Sequence, residues 1–419
     1  MKSNLDALMK SRNMDAIIVF GHAEHNPPMY YLTGGGHVSH ATLIKKQGEE
    51  PVFFHYDMER DEAAKSGLKT VSFSKFPMEP LLKKENGNVL RAQAAQTKLL
   101  FEETGVTKGR VGVYGVYDLG GVFGLLTELK TIMPEIELVG EPFGDSIFVR
   151  AMESKDESEI DRIRRMGALT TTVVGKVRDY LMSCDVNGDE TLLKEDGSFL
   201  TVGDVHGLIR LWTSELGGEF PSGFIFAIGR DAGVPHSMGN PADLMKLGQT
   251  IVFDIYPAER GGGYYYDFTR TWSLGYATPE AQKLYDEVLD VYNKVVENID
   301  MNSEFKQYQK FVCDEFGKNG HKTLLNTTEN FTDGYVHSLG HGLGLNIHER
   351  PSSRYAETNT DRLKPGDAFT IEPGLYYPEK GMGFRIEDSY CMKADGAVEI
   401  LAEFPYDFVL PMKKWKKSA

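Results

Sequence analysis

Cysteine is scarce in this 419-residue chain: Cys184, Cys313 and Cys391 stand far apart, with no CxxC pair. An odd, dispersed set argues against a disulfide framework and fits a reducing compartment. Positive charge is also short. Forty-six Lys and Arg face 61 Asp and Glu, a formal net charge of −15. Nucleic acid and anionic membrane surfaces both demand clustered cations, so neither is expected as the main partner. No apolar run approaches the roughly 18 residues of a membrane span. The first residues, Met1-Lys2-Ser3-Asn4-Leu5-Asp6, carry no apolar h-region, so the expectation is a cytoplasmic protein. Fixed-period repeats and low-complexity tracts are absent too, which excludes solenoids and arrays.

What remains is an ordinary globular composition, 41% hydrophobic and 26% charged, on a chain long enough for two cores. Leu5, Leu8 and Met9 have helical spacing, and Ala16-Ile17-Ile18-Val19-Phe20 reads as a buried strand. Strand-like runs recur at Ala41–Ile44, Pro51–His55, Val71–Phe73 and Arg110–Tyr114, with helical stretches around Met58–Lys65 and Leu119–Met133. Residues 1–150 therefore read as an α/β domain. A boundary falls near Arg150, where Ser154 and Glu157 form a capping-box pattern that opens a helix. That helix carries Ile160, Ile163, Gly167, Thr170, Val174 and Val177 on one face. The polar stretch 185–198 reads as a surface loop. Residues 151–419 read as a second α/β (α+β) domain, with strands at 223–228, 250–256, 264–272, 368–376 and 383–392 and helices at 279–298 and 303–317.

The chemistry lies in carboxylates placed where carboxylates should not be. Asp254 sits inside Ile251-Val252-Phe253-Asp254-Ile255-Tyr256, and a charge in such a strand needs compensation. After the turn Glu259-Arg260-Gly261-Gly262-Gly263 comes Tyr266-Asp267-Phe268-Thr269-Arg270-Thr271. The hairpin would bring Asp254 and Asp267 together, where mutual repulsion calls for a cation between them. For the hairpin alone, one Asp paired with Arg270 and the other solvated serves equally well. A second cluster, His337-Ser338-Leu339-Gly340-His341-Gly342-Leu343-Gly344-Leu345-Asn346-Ile347-His348-Glu349, packs three of the chain's eleven histidines among glycines. Glycine admits close approach, and imidazole both binds metals and carries protons near neutrality. Two further strands carry Glu372, in Ile371-Glu372-Pro373-Gly374, and Glu387, in Arg385-Ile386-Glu387-Asp388. Period-2 alternation puts Arg385 and Glu387 on one face. Four strand-borne carboxylates with histidine balance two divalent cations, and such oxygen-rich ligation suits Mn, Co, Zn or Fe. Two such ions would acidify a bridging water and polarise a carbonyl.

These blocks, in the order Asp, Asp, His, Glu, Glu, resemble the creatinase/aminopeptidase P/prolidase family of pita-bread metallopeptidases. The likeness covers essentially the whole chain, including Tyr30-Tyr31-Leu32-Thr33-Gly34 near the start. It implies an N-terminal creatinase-like α/β domain (1–150) followed by a C-terminal pita-bread catalytic domain (151–419). It implies Asp254, Asp267, His341, Glu372 and Glu387 as ligands of two divalent ions, manganese first among them, with Asp267 and Glu387 bridging. Glu372 would also shuttle a proton. His236, His348 and His337 would bind substrate, at the scissile bond, the oxyanion and the proline ring respectively. Arg385 would orient the ligand carboxylates or the substrate terminus. The implied reaction is hydrolysis of an Xaa-Pro bond at a peptide N-terminus or in a dipeptide, by a homodimer. The hairpin aspartates, thirteen residues apart, lie further apart than is usual in that family, with the excess in 259–263. A same-fold metal enzyme on a non-peptide substrate (a lyase or amidohydrolase), or a catalytically dead protein-binding paralogue, are the alternatives. Methionine aminopeptidase fits less well, because it has no need of the first 150 residues.

Overall fold

The structure is a computed structural model that describes residues 4–415; Met1–Ser3, part of the N-terminal stretch read above, lie outside the described residues. The chain divides into two compact units. Unit 1 runs to Met152 and takes in Gly261–Gly263; unit 2 holds Glu153–Arg260 and the chain from Tyr264 onward.

Unit 1 is built on strands β1 (Ala16–Gly21), β2 (Ala41–Lys46), β3 (Val52–His55), β4 (Lys69–Ser72), β5 (Gly109–Val116) and β6 (Ile136–Val139). Their order is β4-β3-β2-β1-β5-β6. The strands β1, β2 and β3 pair antiparallel, and the outer neighbours β4, β5 and β6 are parallel additions. Helices are α1 (Leu5–Ser11), α2 (Pro27–Thr33), α3 (Arg60–Ala64), α4 (Met78–Lys84), α5 (Val89–Glu103), α6 (Leu119–Ile132) and α7 (Ile147–Met152). Alternate residues of β1 (Ala16, Ile18 and Phe20) join Ile44, Phe54, Leu100, Phe101 and Leu129 in one core. Each such large side chain, fully buried, contributes roughly 1.5–3 kcal/mol. Helix α5 had no sequence expectation, because its exposed face, including Val89 and Leu90, blurs the apolar stripe.

Unit 2 opens with α8 (Glu157–Ser183). The capping box is formed by Asp156 and Glu159, each bonding the other's backbone N–H, so the expected Ser154–Glu157 pair is corrected by two residues. The Ser154 hydroxyl instead donates to Asp367 Oδ1 at 3.2 Å. All six apolar-face residues predicted for this helix are buried. The stretch expected as a loop forms a small hairpin, β7 (Asp185–Val186) and β8 (Leu192–Leu193), whose Leu192 is buried. Next come α9 (Val202–Glu215), β9 (Gly218–Glu219), β10 (Ile225–Ile228), β11 (Thr250–Ile255), β12 (Ala258–Glu259) and β13 (Phe268–Leu274). Helices α10 (Pro279–Val296) and α11 (Phe305–Lys318) follow. Thr278 caps α10 by accepting from the Ala281 N–H, with Pro279 at its first turn.

The last strands are β14 (His341–Gly342), β15 (Glu349–Ser352), β16 (Ala368–Ile371), β17 (Gly374–Tyr377), β18 (Met382–Arg385), β19 (Asp388–Met392), β20 (Val398–Ile400) and β21 (Val409–Leu410). They make a four-stranded sheet β10-β11-β13-β21, a five-stranded sheet β15-β14-β16-β19-β20, and the pair β17-β18. Two continuous strands expected from the sequence are each broken in two, at Glu372-Pro373 and at Ile386-Glu387. Val288, Val291 and Val295 of α10 and Phe305, Val312 and Phe316 of α11 pack on Phe369, Ile371, Phe384 and Ile386. That core backs β16 and β18, the strands that end just before Glu372 and just before Ile386-Glu387.

Candidate metal centre

Strands β11 and β13 pair antiparallel with Asp254 opposite Thr269. The same register continues outward: Ala258 bridges Tyr265, and the Glu259 N–H bonds Tyr264 O at 3.0 Å. The long connection is therefore absorbed by regular hairpin arms closed at Arg260–Gly263, without a slip at the aspartates. Period-2 alternation in this register puts Asp254, Tyr256, Asp267 and Thr269 on one face. Asp267 is fixed through its own neighbours, accepting from the Phe268 N–H at 3.0 Å while its carbonyl accepts from Ser389 Oγ at 2.8 Å.

The histidine segment supplies β14. A Cβ on Gly342 would lie 2.0 Å from Arg350 O, so only glycine lets this backbone approach its partner strand beside His341. His341 Nδ1 lies 3.0 Å from Gly342 O and must donate there. Its Nε2 is left as a lone pair, 3.5 Å from both Asp267 Oδ2 and Glu372 Oε1. Glu372 sits at the break between β16 and β17, its N–H bonded to Leu339 O at 2.7 Å. The following Pro373 disfavours helical backbone at Glu372.

Glu387 sits at the second break, between β18 and β19. It is held by paired backbone bonds with Thr269 and by Thr269 Oγ1 donating to Glu387 Oε2 at 2.7 Å. Arg385 is buried; it ion-pairs with Asp254 and donates to Thr269 Oγ1, to Tyr376 OH at 2.7 Å and to Pro235 O. Arg270 does not pair with a hairpin aspartate, the alternative open from the sequence. Its strand face is opposite that of Asp267, and its guanidinium pairs with fully buried Asp388 at 2.9 Å.

Burial and mutual repulsion act together on the carboxylates. Desolvation first, then neighbouring carboxylates, push Asp267 and Glu387 well above the usual range. Desolvation and Asp254 raise Glu372 to about 8 against the opposing pull of Arg385. Burial lowers His341 to about 3, so its imidazole is neutral. Asp254 Oδ1 and Glu387 Oε1 are buried with no hydrogen-bond partner. Single ligand atoms of Asp267, His341 and Glu387 all lie within 4.8 Å of one another. Unpartnered buried oxygens, crowded carboxyls and an aimed imidazole lone pair are what divalent cations would satisfy. The residues present fit metal.

These five groups line a cavity of about 620 Å³ together with His236, His337, His348 and Arg385. The sequence candidates thus converge on one place. The His348 ring meets His341 edge-on at 4.3 Å. His337 donates from Nδ1 to Ser338 O at 2.7 Å, so its Nε2, 2.8 Å from Tyr376 OH, accepts; burial holds it neutral, near 3. Three residues had escaped sequence reasoning. Tyr256 and Thr269 were signalled by alternation from the two aspartates. Tyr376, which joins His337 to Arg385, carries no charge or motif that would have marked it. Ile225, Met238 and Ile347 add apolar wall.

Residues 161–394, just over half of the chain, match the model of metallopeptidase family M24. The Xaa-Pro dipeptidase of Pyrococcus furiosus is 32% identical over 174 residues, 41% of this chain and 45% of that protein. An uncharacterized peptidase of Staphylococcus aureus is 27% identical over 392 residues, 90% of this chain and 92% of that one. The chain spans about half the length of the relatives at 32–33% identity. Among solved structures, the Xaa-Pro dipeptidase from Bacillus anthracis superposes with a TM-score of 0.74 at 19% identity, over 97% of this chain and 98% of that one. The X-Pro aminopeptidase from Thermotoga maritima gives 0.72 at 18%, over 98% and 99%. These likenesses establish the fold expected above, a creatinase-like α/β domain followed by a pita-bread domain.

Proposed function

The chain belongs to metallopeptidase family M24, and from that premise we propose that it hydrolyses the bond before proline, in dipeptides or at peptide N-termini, with two divalent cations. The observation that carries this reading is the convergence on one cavity of three buried carboxylates, Asp254, Asp267 and Glu387, with half-buried Glu372 and one neutral, lone-pair-presenting histidine. Asp254, Asp267, His341, Glu372 and Glu387 would hold the ions, manganese first, then cobalt, zinc or iron. When bound, the ions supply Lewis-acid polarisation of the scissile carbonyl and acidify water at neutral pH.

The chain's own groups do the rest. Glu372 would take a proton from the attacking water and pass it to the departing proline nitrogen. His348, on the cavity wall, donates an N–H to the developing oxyanion. His236 flanks the scissile bond, and neutral His337, backed by Tyr376, faces the proline ring. Arg385 orients Asp254 through their buried ion pair. The names of the Pyrococcus furiosus and Thermotoga maritima proteins support proline as the selected residue. The domain limits 1–150 and 151–419 belong to this reading. So does a homodimer, supported by exposed Leu119, Phe123 and Phe143 in unit 1 and checked by light scattering.

Elemental analysis of the purified protein, combined with hydrolysis of Xaa-Pro dipeptides, Xaa-Pro tripeptides and Xaa-Ala controls, tests the proposal. About two equivalents of metal and cleavage confined to the proline series are expected. Metal-free protein after growth and purification with divalent ions, or equal cleavage of the Xaa-Ala series, defeats it.

A further inference from the structure

Lys155 and Glu349 form an ion pair that the reaction above does not use. Their side chains are 1% and 3% exposed, Nζ to Oε2 is 2.8 Å, and 194 residues separate them in the chain. Taking both charges out of water is costly, and apolar residues of similar volume commonly serve stability as well or better. A role in stability alone therefore explains this pair poorly.

What the pair holds is specific. Glu349 Oε1 accepts from the Asn346 N–H at 2.9 Å and from Asn346 Nδ2 at 3.3 Å. The Asn346 carbonyl accepts from the Gly344 N–H at 3.0 Å, and Gly344 O accepts from the Tyr265 N–H at 2.8 Å. Lys155 Nζ also donates to Glu153 O at 3.1 Å, and the Lys155 N–H bonds Gly366 O at 2.8 Å. The carboxylate thus closes the 344–349 turn on itself and moors it to a lysine fixed at both backbone and ammonium. A Cβ on Gly344 would lie 2.5 Å from Glu349 Oε2 and 2.8 Å from Lys155 Cε, so the turn is shaped around the pair. Glu349 turns inward to Lys155, while His348 lines the cavity and meets the His341 ring at 4.3 Å.

We propose that Lys155 and Glu349 are positioning residues for His348, setting the imidazole against the substrate carbonyl by clamping the 344–349 turn. The inference rests on the reading of His348 as the oxyanion donor. The clamp acts on orientation, so its loss lowers kcat and leaves ground-state binding and metal content alone.

The test uses the metal-loaded full chain and compares the parent with Lys155→Met/Glu349→Leu, Glu349→Gln and His348→Ala, and with the three substitutions combined. Expected for the double variant are unchanged metal content, at least tenfold faster amide exchange in 344–349, and kcat on an Xaa-Pro dipeptide at least tenfold lower with KM within about twofold. Combined with His348→Ala, the double substitution should lower kcat no further, because both act through one imidazole. A purely structural pair would give additive losses, or parental kcat in the double variant with metal retained; either result overturns the proposal. Should the double variant fail to fold, Glu349→Gln, which keeps an acceptor for Asn346, carries the test: a several-fold loss of kcat supports the clamp and a parental kcat overturns it. If His348→Ala itself leaves kcat unchanged, the oxyanion role falls. The clamp is then judged on exchange alone, and unchanged protection of 344–349 overturns it.

Discussion

Replacing Arg270 with methionine strips the guanidinium from fully buried Asp388 while roughly keeping volume. Both side chains are 0% exposed and 2.9 Å apart. Arg270 also donates to the carbonyls of Thr269, Glu387, Phe404 and Pro405. The Thr269 and Glu387 carbonyls keep partners, because their backbones bond each other, so the main loss is the uncompensated carboxylate. Breaking a buried pair at one end costs about 3–5 kcal/mol. For a unit of this size that lowers Tm by roughly 6–20 °C. Asp388 retains hydrogen bonds from Tyr292 and Tyr406, and burial already raises its pKa. With Arg270 gone it takes a proton in the native state that the unfolded chain does not bind near neutrality. Stability of the variant therefore falls as pH rises, by about 1.4 kcal/mol per unit, and the penalty shrinks toward pH 5. Urea denaturation of the chelator-treated protein between pH 5 and 8 measures this, with metal linkage removed. Arg270→Met/Asp388→Leu should recover a good part of the loss. A penalty under about 1 kcal/mol at pH 7.5, or one independent of pH, refutes the reasoning.

Asp267→Ala should abolish activity and release at least one equivalent of metal, read by elemental analysis, since Asp267, His341 and Glu387 share one centre; full metal retention counts against the ligand set. His348→Ala should lower kcat by roughly 10²–10³ with metal content intact; an unchanged rate rejects the donor role. Asp367, pushed up to about 7 chiefly by burial, stabilises the fold fully below about pH 4, and that contribution is lost as pH rises through about 7. Asp367→Asn should therefore gain on the parent by about 2–4 kcal/mol between those limits in chelator-treated protein; parallel stability curves would show that Asp367 ionises normally.

Much of the centre was legible because its signal is local. A carboxylate in an apolar strand, or three histidines among glycines, is anomalous without any knowledge of the fold. Alternation then carries each anomaly to its strand neighbours, so Tyr256 and Thr269 were reachable from Asp254 and Asp267. The same period places Arg270 on the face away from Asp267, which would have excluded their pairing. Helix ends were less secure. Ser154–Glu157 and Asp156–Glu159 both satisfy the capping pattern, and the Ser154 hydroxyl is claimed by Asp367 in a distant part of the chain.

Sequence alone determined the candidate ligand types, the hairpin and the apolar faces, because side-chain chemistry and backbone periodicity act over a few residues. Tertiary structure decided which charges meet: Arg385 with Asp254, Arg270 with Asp388, Lys155 with Glu349. Those choices depend on where strands break, at Glu372-Pro373 and Ile386-Glu387, and on which faces the sheets bring together. Coulombic pairing in a dry interior is set by distance in space, and separation along the chain leaves no trace of it.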